Sequence, residues 1–171
     1  MARLDSNGQP ITNFSPDGFK ILFNDSNTKW YFPNHADVYI DESDRLIAVT
    51  VHNANNRDFG FHRFDVNGNT DLTFNGTGYL QVALNTSEQW PTIIGDANFY
   101  YAIASSGAVV KISQPQGALV GVIQPTDYCD TRQIALSAEF IYIFPVTHLT
   151  QQHLLLIHAG QGSIEKIFLW I

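Results

Sequence analysis

The chain contains one cysteine, Cys129, which excludes an intrachain disulfide and any cysteine-based zinc site built by a single chain. That residue reads as a small core side chain. Charge is scarce as well. Charged residues make up 15% of 171, the formal net charge is -7, and the nine basic residues form no cluster. Nucleic acid and anionic membrane are therefore not the expected partners. No run of eighteen apolar residues is present, so no transmembrane helix is expected. The opening Met1-Ala2-Arg3-Leu4-Asp5 lacks an apolar signal region, and the signal of an exported protein would lie outside this sequence. Helical periodicity is missing too. Apolar runs are short, β-branched or aromatic, and bounded by Gly, Asn, Asp and Pro, which predicts an all-β protein with many tight turns.

What the chain does have is repetition. Arg3, Asp5, Asn7, Gly8, Phe14 and Gly18 recur sixty positions on as Arg63, Asp65, Asn67, Gly68, Phe74 and Gly78, and Trp30 recurs as Trp90. Identities at one gap-free offset mark a repeat protein. Strands are expected over Ala2–Asp5, Phe19–Phe23, Asp37–Ile40, Arg45–His52, Phe59–Asp65 and Tyr79–Leu84, with Phe59, Phe61 and Arg63 on one face of their strand. The segment from Tyr39 to Val49 returns at an offset of 54 as Ile93–Ile103, and 41 residues later as Ile134–Phe144. The long turn decays: Ile112–Gly117 matches Phe64–Gly68 with one insertion, and Ile157–Phe168 keeps only Gly162 and Phe168. The expected count is fourteen strands, two lone ones followed by three four-stranded antiparallel meanders. Units of this length and strand number mark propeller blades, giving a half blade over 1–24 and blades over about 36–85, 90–124 and 131–171. A β-trefoil is the alternative fold.

The run Arg63-Phe64-Asp65-Val66-Asn67-Gly68, followed by Phe74 and Gly78, resembles the bacterial delta-60 repeat of β-propeller proteins. The strand motif of that family also has a counterpart in Asp44-Arg45-Leu46-Ile47-Ala48-Val49-Thr50, and the first copy opens with Ala2-Arg3-Leu4. The match is good over residues 1–85 and weak beyond Ala118. The resemblance implies a propeller from a surface-associated or secreted bacterial protein, without a general catalytic activity or catalytic residues to carry over.

Within the turn, Gly68 and Gly78 supply positive φ, Asp65 and Asn67 bond back to nearby amides, and Phe74 anchors the turn in the core. Phe14 and Phe168 are expected to be its equivalents. Asp65, Asn67, Asn69 and Asp71 also stand at the alternate spacing of calcium loops, because alternate side chains on a curling loop converge on one ion. Thr70 and Thr73 stand where such loops carry glycine and a carboxylate, so a hydrogen-bonded turn without cofactor is the first reading and calcium the second. The histidines 35, 52, 62, 148, 153 and 158 are scattered, and no catalytic motif is present. Trp30, Tyr31 and Trp90, with Phe32, Tyr100 and Tyr101, fall near expected strand ends, where exposed rings beside Asn and Asp would stack on sugars. For Trp30 and Trp90, packing between blades is the preferred reading.

Three and a half blades do not close a ring. The expectation is a homo-oligomer or a piece of a longer chain, with other protein chains or further blades as partners. Its role is read as a non-enzymatic interaction or scaffolding module at a bacterial or phage surface. A lectin-like carbohydrate binder is the alternative, and a glycan-acting hydrolase the third reading.

Overall fold

The computed structural model describes residues 3–14, 36–52, 58–84, 90–123, 131–137, 140–145, 153–158 and 166–170. Among them every regular element is a strand. β1 (Ala36–Ile40), β2 (Leu46–His52), β3 (Asp58–Phe64) and β4 (Tyr79–Val82) form one antiparallel sheet in chain order. β5 (Thr92–Gly95), β6 (Phe99–Ile103), β7 (Val109–Ser113) and β8 (Leu119–Ile123) form a second. β9 (Thr131–Leu136), β10 (Phe140–Pro145), β11 (His153–His158) and β12 (Lys166–Trp170) form a third. The expected all-β antiparallel architecture is borne out, with four strands to a sheet.

The sheets stack face to face, with the second in the middle. Ile47, Val49, Phe59, Phe61 and Val82 of the first meet Ile93, Tyr100, Ala102, Val110 and Ile112 of the second in one buried core. The opposite face of the second sheet presents Tyr101, Ile103 and Val109 to Ile141 and Ile143 of the third. Adjacent residues of a strand point to opposite faces, so a middle sheet must be apolar on both. That is why Phe99-Tyr100-Tyr101-Ala102-Ile103 shows no polar alternation. The first strands of successive sheets, β1, β5 and β9, lie next to one another.

Several expectations need correction. The offset of 54 holds for β2 and β6 but not for β1 and β5. Tyr39 pairs with Ile47 and Ile94 with Tyr101, because the second hairpin is one residue shorter. The offset of 41 between the second and third sheets needs no such shift, since Ala135 pairs with Tyr142. Of the expected strand Ala2–Asp5, the described residues show only a bridge from Leu4 to Pro10, and Phe19–Phe23 lies outside the described residues. Phe168 is not the turn anchor. It stands within strand β12, opposite Leu155, and not in a turn.

Candidate functional site

The two copies of the long turn share one hydrogen-bond scheme. Asp5 and Asp65 each accept at Oδ1 from the backbone N–H groups two and four residues on, at 2.8–2.9 Å. The N–H of Gly8 and of Gly68 donates to the carbonyl of that aspartate, and both glycines have φ near +75 to +78°. The Ile11 N–H donates to the Arg3 carbonyl as Asp71 N–H does to Arg63, and Phe14 N–H donates to Ile11 as Phe74 does to Asp71. Even the isolated bridges correspond, Leu4 with Pro10 and Phe64 with Thr70.

Each turn also grips the turn of the next unit. The Arg3 guanidinium donates to the carbonyl of Val66, and the Arg63 guanidinium to the carbonyl of Gln114. The Phe14 ring lies against Gly68, where an added Cβ would come within 2.3 Å of it; the Phe74 ring lies against Gly117 in the same way, at 2.4 Å. Gly117 has φ +66°, and its N–H donates to Ser113 one residue further back than Gly68 reaches, which is the inserted residue. The second grip is the fuller one. Arg63 is wholly buried, donates through Nε to Asp71 Oδ2 at 2.8 Å and through NH2 to Thr73 Oγ1 at 2.9 Å, and lies 4.9 Å from the centroid of the Phe74 ring. The Asn75 N–H adds a bond to Gln116 O.

The same junction is fastened again from β1 and the turn that follows it. Tyr39 donates to the Gly95 carbonyl at 3.0 Å, Asp37 Oδ2 accepts from Ile93 N–H at 2.9 Å, and Tyr100 donates to Asp41 Oδ2 at 2.7 Å. Burial works to raise the Asp41 pKa. Bonds from Tyr100 and from the Arg45 and Ser43 amides, with the Arg45 charge, outweigh it and hold the carboxyl below its ordinary value. Asp71 is likewise held low: burial works upward, while Thr73 and Arg63 pull it down. Tyr100 and Tyr101 are pushed up, first by burial and then by the carboxylates they bond, Asp41 and Asp96. In the register position of Arg63 the second sheet carries Lys111, buried beside the Phe99 ring at 3.9 Å and lowered in pKa by that burial.

This geometry sorts the residues read as site candidates. Asp65, Asn67 and Asn69 come together in one turn, where the Asp65 carboxylate is occupied by the Asn67 and Asn69 amides and by Asn69 Nδ2. Asp71 accepts from Arg63, and a guanidinium at 2.8 Å opposes a cation at that carboxylate. These bonds are those of the hydrogen-bonded turn that was the first reading. Tyr100 and Tyr101 are core residues, not rim aromatics, because the middle sheet is covered on both faces. Trp90 is 47% exposed, at a backbone φ of +54°. Trp30 and Tyr31 lie outside the described residues.

Composition and spacing gave no sign of a polar group on the outer face of the first sheet. Gln81 donates to Asp58 Oδ2 at 2.7 Å, Tyr79 lies with its ring centroid 4.4 Å from that of His62, and burial beside Asp58 pushes Tyr79 up to about 12. Its only sequence signal was period two in Asp58, Gly60 and His62. No family model matches the chain, and no curated protein matches it.

Proposed function

We propose that the chain is an interaction or scaffolding module made of propeller-type units, acting at a bacterial or phage surface. The observation that carries this reading is the repeated grip of one turn on the next, Arg3 and Phe14 on Val66 and Gly68, then Arg63 and Phe74 on Gln114 and Gly117. Asp41, Asp71, Tyr100 and Tyr101, whose titration is shifted by burial and bonding, are spent on joining strands and sheets. Such an array presents rims and loops for binding and keeps its charged chemistry inside. Among the described residues each sheet pairs only within itself, whereas a trefoil pairs strands of different repeats into one barrel, and this supports the propeller-type unit. The resemblance of the turn to delta-60 repeats supports the surface setting. Crosslinking of the purified protein to surface extracts of its source, read by mass spectrometry, tests the proposal. Crosslinks should map to rim positions around Val66–Leu72 and Trp90; turnover of glycan or ester substrates by the pure chain would sink it.

The exposed, strained Trp90 favours one second reading, a carbohydrate-binding module in which the indole stacks on a sugar ring. Glycan-array signals abolished by Trp90→Ala would establish it, and signals that survive the substitution would dismiss that role.

A further inference from the structure

Three Asn-Gly pairs lie in the two copies of the long turn: Asn7-Gly8, Asn67-Gly68 and Asn75-Gly76. Such a pair carries its own chemistry, a source of asparagine's thermal lability. The backbone nitrogen of the glycine attacks the amide carbon of the asparagine side chain, with no Cβ on the glycine to obstruct it. A C–N bond forms, the glycine nitrogen gives up its proton, and ammonia leaves, closing a five-membered imide. Water then opens one imide carbonyl or the other. The product is aspartate or, with the main chain rerouted through the side chain, isoaspartate. The attack needs a glycine nitrogen that is exposed and not engaged.

The fold separates the three pairs on this ground. The Gly8 N–H donates to the Asp5 carbonyl at 3.0 Å and the Gly68 N–H to that of Asp65 at 2.9 Å, and Gly68 is also buried against the Phe14 ring. Gly76 is different. The Thr77 N–H donates to the Phe74 carbonyl at 3.2 Å, so Asn75 and Gly76 are the central residues of a tight turn, at φ +50° and +70°. The N–H of the second central residue takes no part in closing such a turn, and that of Gly76 bonds to no described residue. Asn75, Gly76 and Thr77 are all exposed. The Asn75 amide is held by one exposed bond, from Nδ2 to the Tyr79 carbonyl at 2.9 Å, and a bond of that kind opens readily.

The place of this pair gives its conversion a consequence. Asn75 follows the buried Phe74, whose ring lies against Gly117, and its own N–H donates to the Gln116 carbonyl of the second unit at 2.7 Å. Either product replaces the donating side-chain amide by a carboxylate, and isoaspartate also adds a methylene to the main chain inside the turn. The first copy has Ser15-Pro16 at the corresponding positions, so only the fuller of the two grips carries the pair. We propose that Asn75 is a site of spontaneous self-modification, converting through the imide faster than Asn7 or Asn67, and that its conversion loosens the grip of the first unit on the second. This chemistry needs no ligand and stands apart from the proposed binding role.

The purified protein, held at mildly alkaline pH and digested at intervals, gives the three rates by peptide mass spectrometry of the amide-to-acid change. Asn75 should convert roughly tenfold faster than Asn67, the population cost of opening one bonded amide. In concentrated urea the three rates should converge. Asn75→Gln closes only a slower six-membered imide and should be nearly inert at that position. Converted protein, separated by its added negative charge, should unfold at lower urea than Asn75→Gln held under the same conditions. An Asn75 that converts no faster than Asn7 and Asn67 in the native protein would overturn the proposal. So would a lead for Asn75 that persists in urea, or converted protein as stable as the variant.

Discussion

Arg63→Met tests whether burial, and not contact alone, sets the strength of the grip between units. Arg3 and Arg63 occupy the same place in two copies of one turn, and each donates to a carbonyl of the next turn. They differ in surroundings. Arg63 is wholly buried and ion-paired with Asp71, whose side chain is 11% exposed, whereas the Arg3 bond is exposed to solvent. Removing the guanidinium at position 63 leaves a nearly buried carboxylate and two carbonyls without their donor, a loss of about 3–5 kcal/mol. Losing the cation over the Phe74 ring works in the same direction. For a chain of this length each kcal/mol shifts Tm by roughly 2–4 °C, so a fall of roughly 6–20 °C is expected. Arg3→Met should cost about 0–1 kcal/mol, as exposed polar pairs do. Thermal and urea melts of both variants give the comparison. Hydrogen exchange at Asn75 should accelerate in Arg63→Met, because its amide closes the same junction. Equal losses in the two variants would refute the argument, since contact would then count for everything and burial for nothing.

Phe74→Ala empties a fully buried site between the first two sheets and should cost about 3–5 kcal/mol in a urea melt. Gly117→Ala and Gly76→Ala both place a side chain at positive φ, which alone costs about 1–2 kcal/mol. Only at Gly117 does the new Cβ meet the Phe74 ring, so its loss should clearly exceed that of Gly76, where nothing lies within 4 Å. The lowered pKa values of Asp41 and Asp71 mean that the unfolded chain binds protons first on acidification. Their contribution is full above the ordinary carboxylate pKa and is lost as pH falls through the folded values below 3.8; Asp41→Asn with Asp71→Asn should flatten that limb of a stability–pH curve. Tyr79, Tyr100 and Tyr101 are raised, so their contribution is full below the ordinary phenol value of 10.0 and is lost as pH climbs beyond it. Tyr100→Phe should reduce the alkaline fall in stability, with phenolate absorbance marking the titration.

The offset of sixty made the turn legible because its internal bonds are local: a carboxylate reaching amides two and four residues on is written in the spacing itself. The same spacing serves calcium loops, which also gather oxygens from alternate positions, so sequence left both readings open. The separating fact is long-range. Arg63 takes up the Asp71 carboxylate, and Arg63 is itself bonded to Gln114 and Pro115, in a copy reached through an insertion and not at the repeat offset. Tyr100 and Tyr101 show the same limit from the other side. Two neighbouring aromatics suggest one ring in and one out, and only the position of their sheet in the middle of the stack buries both. The unbroken apolar run from Phe99 to Ile103 was the available signal.

The internal copies thereby acquire a reason for what they keep and what they lose. Glycine persists at 68 and 117 because it serves two masters, the left-handed turn of its own unit and the phenylalanine of the unit before. Asp65 gives way to Ser113 in the next copy, where the Gly117 amide bonds the Ser113 carbonyl as Gly68 bonds that of Asp65, and the Ser113 hydroxyl donates to Gln116 Oε1 where the carboxylate had taken two amides. The carboxylate was therefore a means of closing one turn, whereas the glycine belongs to a contact between units. On this view a copy that kept the aspartate but lost the glycine would still turn and would no longer stack. Gly68→Ala poses that case directly: at 2.3 Å from the Phe14 ring, the new Cβ should displace residues 3–14 while the Asp65 bonds within the turn remain. Faster exchange at Asn67 and Asn69 than at Gly8 and Ile11 would mean that the glycine's first duty was to its own turn after all.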